Sequence, residues 1–146
     1  MELIDSLRTA LSTAEGKLRY ELLNDLAWEY RWATPDSTIQ MAEEAYDLGM
    51  KLNLTTGLAE PLNFAGVAYN YKGDKLKAFE WYDKALKLSI QQQDTLQIAY
   101  SNNNLGRLLF EQGLLSRSYD YFVKALVLFE AVNDLSGIAY TYQSLA

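Results

Sequence analysis

Apolar residues recur along the chain at intervals of three and four positions, which is the spacing of helices that bury one face. Short polar segments that contain glycine or proline separate these stretches and mark the helix ends. The pattern predicts an all-α chain with a lone first helix, three pairs of helices and an unpaired last helix. The predicted bounds are 2–13, then 17–32 with 36–52, 56–72 with 75–92, and 95–112 with 115–132, and a last helix from 135 onwards.

The helical pattern repeats with a period of 40 residues. In the second helix of each pair one small residue recurs at this spacing: Ala45, Ala85 and Ala125. In the first helix another recurs at intervals of 39 and 40 residues: Ala27, Gly66 and Gly106. Because a glycine inside a helix costs about 0.5 to 1 kcal/mol relative to alanine, we expect Gly66 to mark a close approach between helices. The short connections force each pair to be antiparallel, so the repeat predicts a stack of helix pairs.

Several expectations concern the helix ends. Thr34 precedes a proline, so we expect it to cap the helix that the proline begins. Asp94 and Asp134 lie 40 residues apart before equivalent helices, and we expect both to be N-caps. Pro61 lies inside the first helix of the second pair, where it would remove a backbone hydrogen bond. That helix must therefore begin later, near Ala59, or bend.

The spacing of small and aromatic residues resembles the tetratricopeptide repeat (TPR) family. The second repeat carries the resemblance most clearly, at Leu62, Ala65, Gly66, Tyr69, Ala78, Tyr82 and Ala85. The long period and the missing terminal proline depart from the family and resemble the N-terminal repeat regions of bacterial signalling proteins. The resemblance implies an α-solenoid in which antiparallel helix pairs form a right-handed superhelix, with about three complete TPR repeats and partial helices at both ends.

A single TPR domain then spans residues 1–146. Its predicted units are a lone helix at 1–14, repeats at 17–53, 56–93 and 95–133, and the truncated first helix of a fourth repeat at 135–146. That helix stops at Ala146, the position equivalent to Gly106, so we expect the chain to be a fragment of a longer protein. The compartment stays open: cytoplasmic, or extracytoplasmic if a removed signal peptide preceded Met1. The apolar edge of the last helix would allow a homodimer.

Composition excludes several classes of function. The chain has no cysteine and no histidine, which removes disulfides, thiolate nucleophiles and zinc sites that need nitrogen or sulfur ligands. The formal net charge is −6 and the basic residues are spread along the chain, so nucleic acid is not an expected partner. No apolar run approaches the roughly 20 residues of a membrane span, so we expect no membrane insertion.

An enzyme would have to rely on carboxylates alone. The candidates are Glu21, Glu60 and Glu111, or the adjacent Glu43 and Glu44. Charged residues on helix faces are nearly always solvated, and no glycine-rich phosphate loop is present. We therefore expect neither catalysis nor a bound metal or cofactor.

The resemblance implies that the first helices of the pairs line a concave groove that binds a peptide or a partner helix. At one equivalent position the chain carries amides in four successive helices: Asn24, Asn63, Asn103 and Gln143. A carboxamide both donates and accepts hydrogen bonds, which suits an extended peptide backbone. The alternative is that these amides bond only to each other or to water between helices. The other groove residues implied are Trp28, Arg31, Val67, Asn70, Tyr71, Arg107 and Phe110.

The sequence thus predicts a non-enzymatic protein-interaction module, expected to be the sensory or scaffold part of a bacterial signal-transduction protein. A free-standing, self-associating adaptor is the alternative. Asn24 and Trp28 stand where chaperone-binding family members need lysine and asparagine, so a chaperone tail is not the expected ligand. Most aromatic residues at helical spacing pack in cores, and Trp28 and Tyr71 are the ones expected to be exposed.

Overall fold

A computed structural model describes residues 2–145, and this part of the chain contains α-helices and no strand. The helices are α1 Glu2–Leu11, α2 Gly16–Glu29, α3 Pro35–Lys51, α4 Glu60–Tyr71, α5 Lys75–Gln91, α6 Thr95–Glu111, α7 Leu115–Ala131 and α8 Leu135–Leu145. The predicted all-α class is confirmed. The predicted stop of the last helix at Ala146 lies outside the described residues.

The helices form two layers. Each helix packs against the next along the chain, and the first helices of successive pairs also pack on one another: α2 on α4, α4 on α6, and α6 on α8. In the described part of the chain, α3, α5 and α7 make no such contacts with one another. The first helices are therefore the closely spaced inner, concave layer, and α3, α5 and α7 are the outer, convex layer. This arrangement is the predicted α-solenoid of antiparallel helix pairs.

Glycines in the inner helices let the paired helices approach. A Cβ atom at Gly66 would lie within 2.5 Å of two ring carbons of Tyr82, and one at Gly106 would lie 2.8 Å from two ring carbons of Phe122. Both rings are buried, at 2% and 1% exposure. The close approach expected at Gly66 is therefore present, and it is filled by an aromatic ring of the following outer helix.

Two inner helices differ from their predicted bounds. Helix α4 begins at Glu60, so Pro61 lies in its first turn, where a missing N–H leaves no helical hydrogen bond unmade. Of the two alternatives at this proline, the later start is the one that occurs. Helix α2 ends at Glu29, three residues earlier than predicted, and its chain turns before Pro35 begins α3. None of the helices within residues 2–145 has the length and apolar character needed to cross a bilayer.

The predicted caps are partly present. Asp94 accepts a hydrogen bond from the Gln97 N–H at 3.3 Å, and Asp134 accepts one from the Gly137 N–H at 3.1 Å. Thr34 lies at the N-cap position of α3, but its side chain accepts no capping hydrogen bond, so that expectation is wrong. Its backbone carbonyl instead accepts hydrogen bonds from the N–H groups of Ser37 at 2.9 Å and Thr38 at 3.3 Å.

Candidate binding groove

A cavity of about 390 Å³ opens on the concave side of the solenoid. All four inner helices contribute to its walls, which consist of Asp25, Trp28, Glu60, Asn63, Phe64, Val67, Gln97, Tyr100, Asn104, Ser136 and Tyr140. Helix α4 shows how these positions arise. Glu60, Phe64 and Val67 follow the i, i+4, i+7 spacing of a single helix face, and all three line the cavity. We call this site the concave groove.

The centre of the concave groove is aromatic. The rings of Trp28 and Phe64 lie 5.1 Å apart between centroids, and they come from adjacent inner helices. Tyr100 and Tyr140 lie 6.1 Å apart on the next two helices. Such rings provide a large apolar surface and faces that attract cations. An apolar cavity with a few polar groups at its edges is the usual form of a ligand site.

One edge of the groove carries carboxylates without counter-ions. Burial is the main cause that raises the pKa of Glu60 to about 7, and the charges of Asp25, Asp94 and Glu21 raise it further. Burial also raises the pKa of Asp25, with Glu21 and Glu29 adding to the effect. No ion pair formed within residues 2–145 includes Glu60. Among the same residues no acidic cluster is placed to hold a metal ion.

The segment before α4 fixes Glu60 at this edge. Gly57 adopts a φ of 76°, a left-handed conformation that favours glycine. Its N–H donates to Asp94 Oδ2 at 2.6 Å, and its carbonyl accepts from the Tyr20 hydroxyl at 2.6 Å. The Glu60 N–H then donates to the Gly57 carbonyl at 3.1 Å. Groups from α2 and the α6 N-cap thus hold the turn that starts α4.

The opposite edge carries guanidinium groups. Arg31 lies 3.6 Å from the centroid of the Trp28 ring and 4.0 Å from that of Trp32, and burial lowers its pKa. Arg107 lies 4.8 Å from the centroid of Tyr140 and donates to its hydroxyl at 3.3 Å. Neither arginine takes part in an ion pair with another described residue. The concave groove therefore has an acidic edge at Asp25 and Glu60 and a basic edge at Arg31 and Arg107.

A buried hydrogen-bond network forms the floor. Asn63 Nδ2 donates to Gln97 Oε1 at 3.2 Å and to Ser101 Oγ at 3.0 Å. Asn104 Nδ2 donates to Asn63 Oδ1 at 3.2 Å, and the Tyr140 hydroxyl donates to Asn104 Oδ1 at 3.3 Å. The network links α4, α6 and α8, so it sets the spacing of three inner helices beneath the ligand site.

The expectation that the row of amides is exposed in the groove is wrong for Asn24, Asn63 and Asn103, which are buried. Asn24 and Asn103 are 1% and 0% exposed, and Asn24 Nδ2 donates to the carbonyl of Tyr20 within its own helix. Asn63 is also buried, although it lines the floor of the groove. Gln143 is exposed but does not line the cavity. The shared position lies one residue away from the groove face, and at Asn63 it faces the adjacent inner helix.

The other predicted residues divide into two groups. Four line the cavity or contact its walls: Trp28, Val67, Arg31 and Arg107. Three lie elsewhere: Asn70, Tyr71 and Phe110. Asn70 accepts from Lys75 at 2.5 Å beside the Lys75–Glu111 ion pair. Tyr71 is 60% exposed, as expected, whereas Trp28 is half-buried against Phe64 and Arg31.

Sequence reasoning missed the position two residues before each aligned small residue. Asp25, Phe64 and Asn104 occupy it and line the cavity. A signal was available, because Val67 was an implied groove residue and Glu60, seven positions before it, lies on the same helix face. A helix that presents both of them also presents the residue four after Glu60, which is Phe64 rather than Asn63.

Glu60 leads to a prediction about pH. The unfolded chain loses this proton near its ordinary pKa of 4.5, whereas the folded chain holds it until about pH 7, so the stability contributed by the protonated form is lost as pH rises through this window. We expect Glu60→Gln to remove this loss, which amounts to about 2 kcal/mol after allowance for partial exposure. Urea unfolding of both proteins between pH 4 and pH 8 measures it. Glu43→Gln, on the convex side, is the matched control, and parallel curves for Glu60→Gln and wild type would contradict the prediction.

Comparisons with known proteins identify the fold. No protein-family model matches the chain, and no curated protein sequence matches it. Among solved structures, the chain is similar to a Rap protein complexed with competence and sporulation factor, with a TM-score of 0.82 and 21% sequence identity. The match covers 94% of this chain and 40% of the Rap chain, so the chain spans less than half of that protein's length. The likeness establishes a helical repeat fold.

Proposed function

We propose that this protein is a non-enzymatic, TPR-type interaction module that binds an extended peptide segment in the concave groove. The observation that carries the proposal is the unpaired Glu60 carboxylate at the edge of an aromatic cavity on the inner face. Glu60 is half-buried, so its charged form loses part of its hydration, and a ligand that supplies the opposite charge offsets that cost. The spacing of small residues that resembles the TPR family supports the same reading.

The charges at the two edges define the ligand further. A lysine or arginine side chain, or an amino terminus, would pair with Glu60 and Asp25 and would lie near the aromatic faces of Trp28 and Tyr100. A carboxylate at the other end of the segment would pair with Arg31 or Arg107. The preferred ligand is thus an extended segment with a basic group at one edge of the groove and an acidic group at the other.

The biological role is proposed from the sequence resemblance. We propose that the module is the sensory or scaffold part of a bacterial signal-transduction protein, which the sequence resemblance to N-terminal repeat regions of such proteins supports. The Rap protein of similar fold is complexed with competence and sporulation factor. That complex supports ligand binding by this kind of repeat fold.

The test is selection of binders from a phage-displayed library of random peptides against the immobilised chain, followed by fluorescence anisotropy of the enriched peptides. We expect enrichment of peptides with a basic residue. Glu60→Gln and Trp28→Ala should each weaken binding about 10- to 100-fold, because the first removes the charge at the acidic edge and the second removes an aromatic ring from the centre. Phe79→Ala, which removes an exposed aromatic side chain from the outer helix α5, is the matched control and should leave affinity unchanged. Enriched peptides that bind both groove variants as well as wild type would overturn the proposal.

A further inference from the structure

Helix α7 carries an apolar stripe on the convex side, away from the concave groove. Tyr119, Val123 and Val127 follow one another at intervals of four residues and are 59%, 38% and 58% exposed. Residues four apart lie next to each other on a helix surface, so these side chains form one continuous patch. We call it the α7 stripe. Its two valines are unusual, because their exposed aliphatic side chains do not pack into the core of the solenoid.

The repeat provides an internal comparison for the two valine positions. In α5 the equivalent residues are Asp83 and Lys87, whose charged groups form an ion pair at 2.8 Å. In α3 they are two acids, Glu43 and Asp47. The same site on the solenoid is therefore charged in the first two repeats and apolar in the third.

A following repeat does not cover these positions. Helices α3 and α5 are each followed by a complete helix pair, yet Glu43, Asp47 and Lys87 are exposed and Asp83 is half-buried. The outer helices make no contacts with one another within the described chain. By the geometry of the repeat, the α7 stripe faces outward whether or not further repeats follow, so its apolar character calls for a partner at that face.

The charges beside the stripe fit a second copy of this chain. Asp120 and Lys124 each follow a stripe residue by one position, so they lie along one edge of it. Neither is in an ion pair with another described residue. When two α7 helices pack antiparallel about a two-fold axis, Asp120 of each copy lies against Lys124 of the other. We propose that the α7 stripe is the interface of a homodimer with this isologous geometry.

We expect the proposed dimer to be weak and to leave the concave groove open to ligand. One helix packed on one helix lies at the small end of specific interfaces, so we expect a dissociation constant in the micromolar range or above. The stripe is on the convex layer and the groove on the concave layer, so both grooves of a dimer stay open. This interface also differs from the edge of the last helix, which the sequence indicated as a dimer contact.

Sedimentation velocity of the chain over about 5 to 500 μM tests the proposal. We expect wild type to shift from monomer to dimer over this range. The variant Val123→Asp/Val127→Lys places the Asp83–Lys87 ion pair of α5 at the equivalent positions of α7, which preserves the helix. We expect this variant to remain monomeric at the highest concentration. The matched control, Glu43→Ala/Asp47→Ala, alters the equivalent positions of α3 and should dimerise like wild type. Circular dichroism confirms that each variant is folded.

A charge exchange tests the geometry. Asp120→Lys alone should weaken the dimer at least tenfold, because it places lysine against lysine across the axis. Adding Lys124→Asp should restore the wild-type dissociation constant. Wild type that stays monomeric at the highest concentration, or a valine variant that still dimerises, would overturn the proposal. If the chain is monomeric and its α7 stripe binds a different protein, the proposal that a second copy occupies the stripe is wrong.

Discussion

Gly66→Ala is expected to lower the free energy of unfolding by about 2 kcal/mol, although alanine is the better helix former. The added Cβ atom would lie within 2.5 Å of two ring carbons of Tyr82, which is 2% exposed and fills the space between α4 and α5. The gain of about 1 kcal/mol in helix propensity is smaller than the cost of displacing a packed aromatic ring. Urea unfolding followed by circular dichroism measures the change.

The first repeat shows how the loss could be recovered. There the equivalent pair is Ala27 and Ala42, both fully buried, so an alanine on the inner helix is matched by a small residue on the outer one. We therefore expect Gly66→Ala and Tyr82→Ala to be non-additive, with the double variant about 1 to 3 kcal/mol more stable than the sum of the single changes. Gly66→Ala combined with Tyr119→Ala, at an exposed aromatic, is the additive control. Additivity of the first pair within about 0.5 kcal/mol would contradict the close contact.

Much of this fold could be predicted because a few residues in each repeat determine how its two helices pack. The 40-residue spacing of small residues fixed the pairing of helices, and the turns at Gly73 and Gly113 fixed the four helix ends beside them within one residue. The start of α4 was different. It depends on contacts of Gly57 with Tyr20 and Asp94, each 37 residues distant in sequence, and no local pattern contains that information.

The binding site could be predicted only to the correct layer of helices. The inner helices were identified, and Trp28 and Val67 do line the cavity. The face was assigned one residue off, because an amide recurs in every repeat whether it is exposed or buried. A one-residue step turns a helical position by about 100°, which separates Asn63 at the floor from Phe64 on the wall. The unpaired charge of Glu60 needed the three-dimensional arrangement, since its surroundings come from three helices.

The buried amides lead to a prediction in which equivalent positions respond with opposite signs. Asn63→Leu is expected to lower the free energy of unfolding by about 3 kcal/mol, because it leaves the polar groups of Gln97 and Asn104 without their partner in a buried network. Asn103→Leu is expected to raise it by about 1 kcal/mol. Both polar atoms of Asn103 are buried without a hydrogen-bond partner, so an apolar side chain of similar volume removes a desolvation cost and leaves no group orphaned.

Asn24 provides the third member and the control for this comparison. Its Nδ2 has one bond within its own helix and its Oδ1 has none, so gain and loss nearly cancel and Asn24→Leu should change stability by less than about 1 kcal/mol. Equal losses at all three positions, measured by urea unfolding, would contradict this account of their different environments. The expected spread of signs would mean instead that the repeat has retained one residue type in three environments, and that only Asn63, which links α4 to α6, organises the floor of the concave groove.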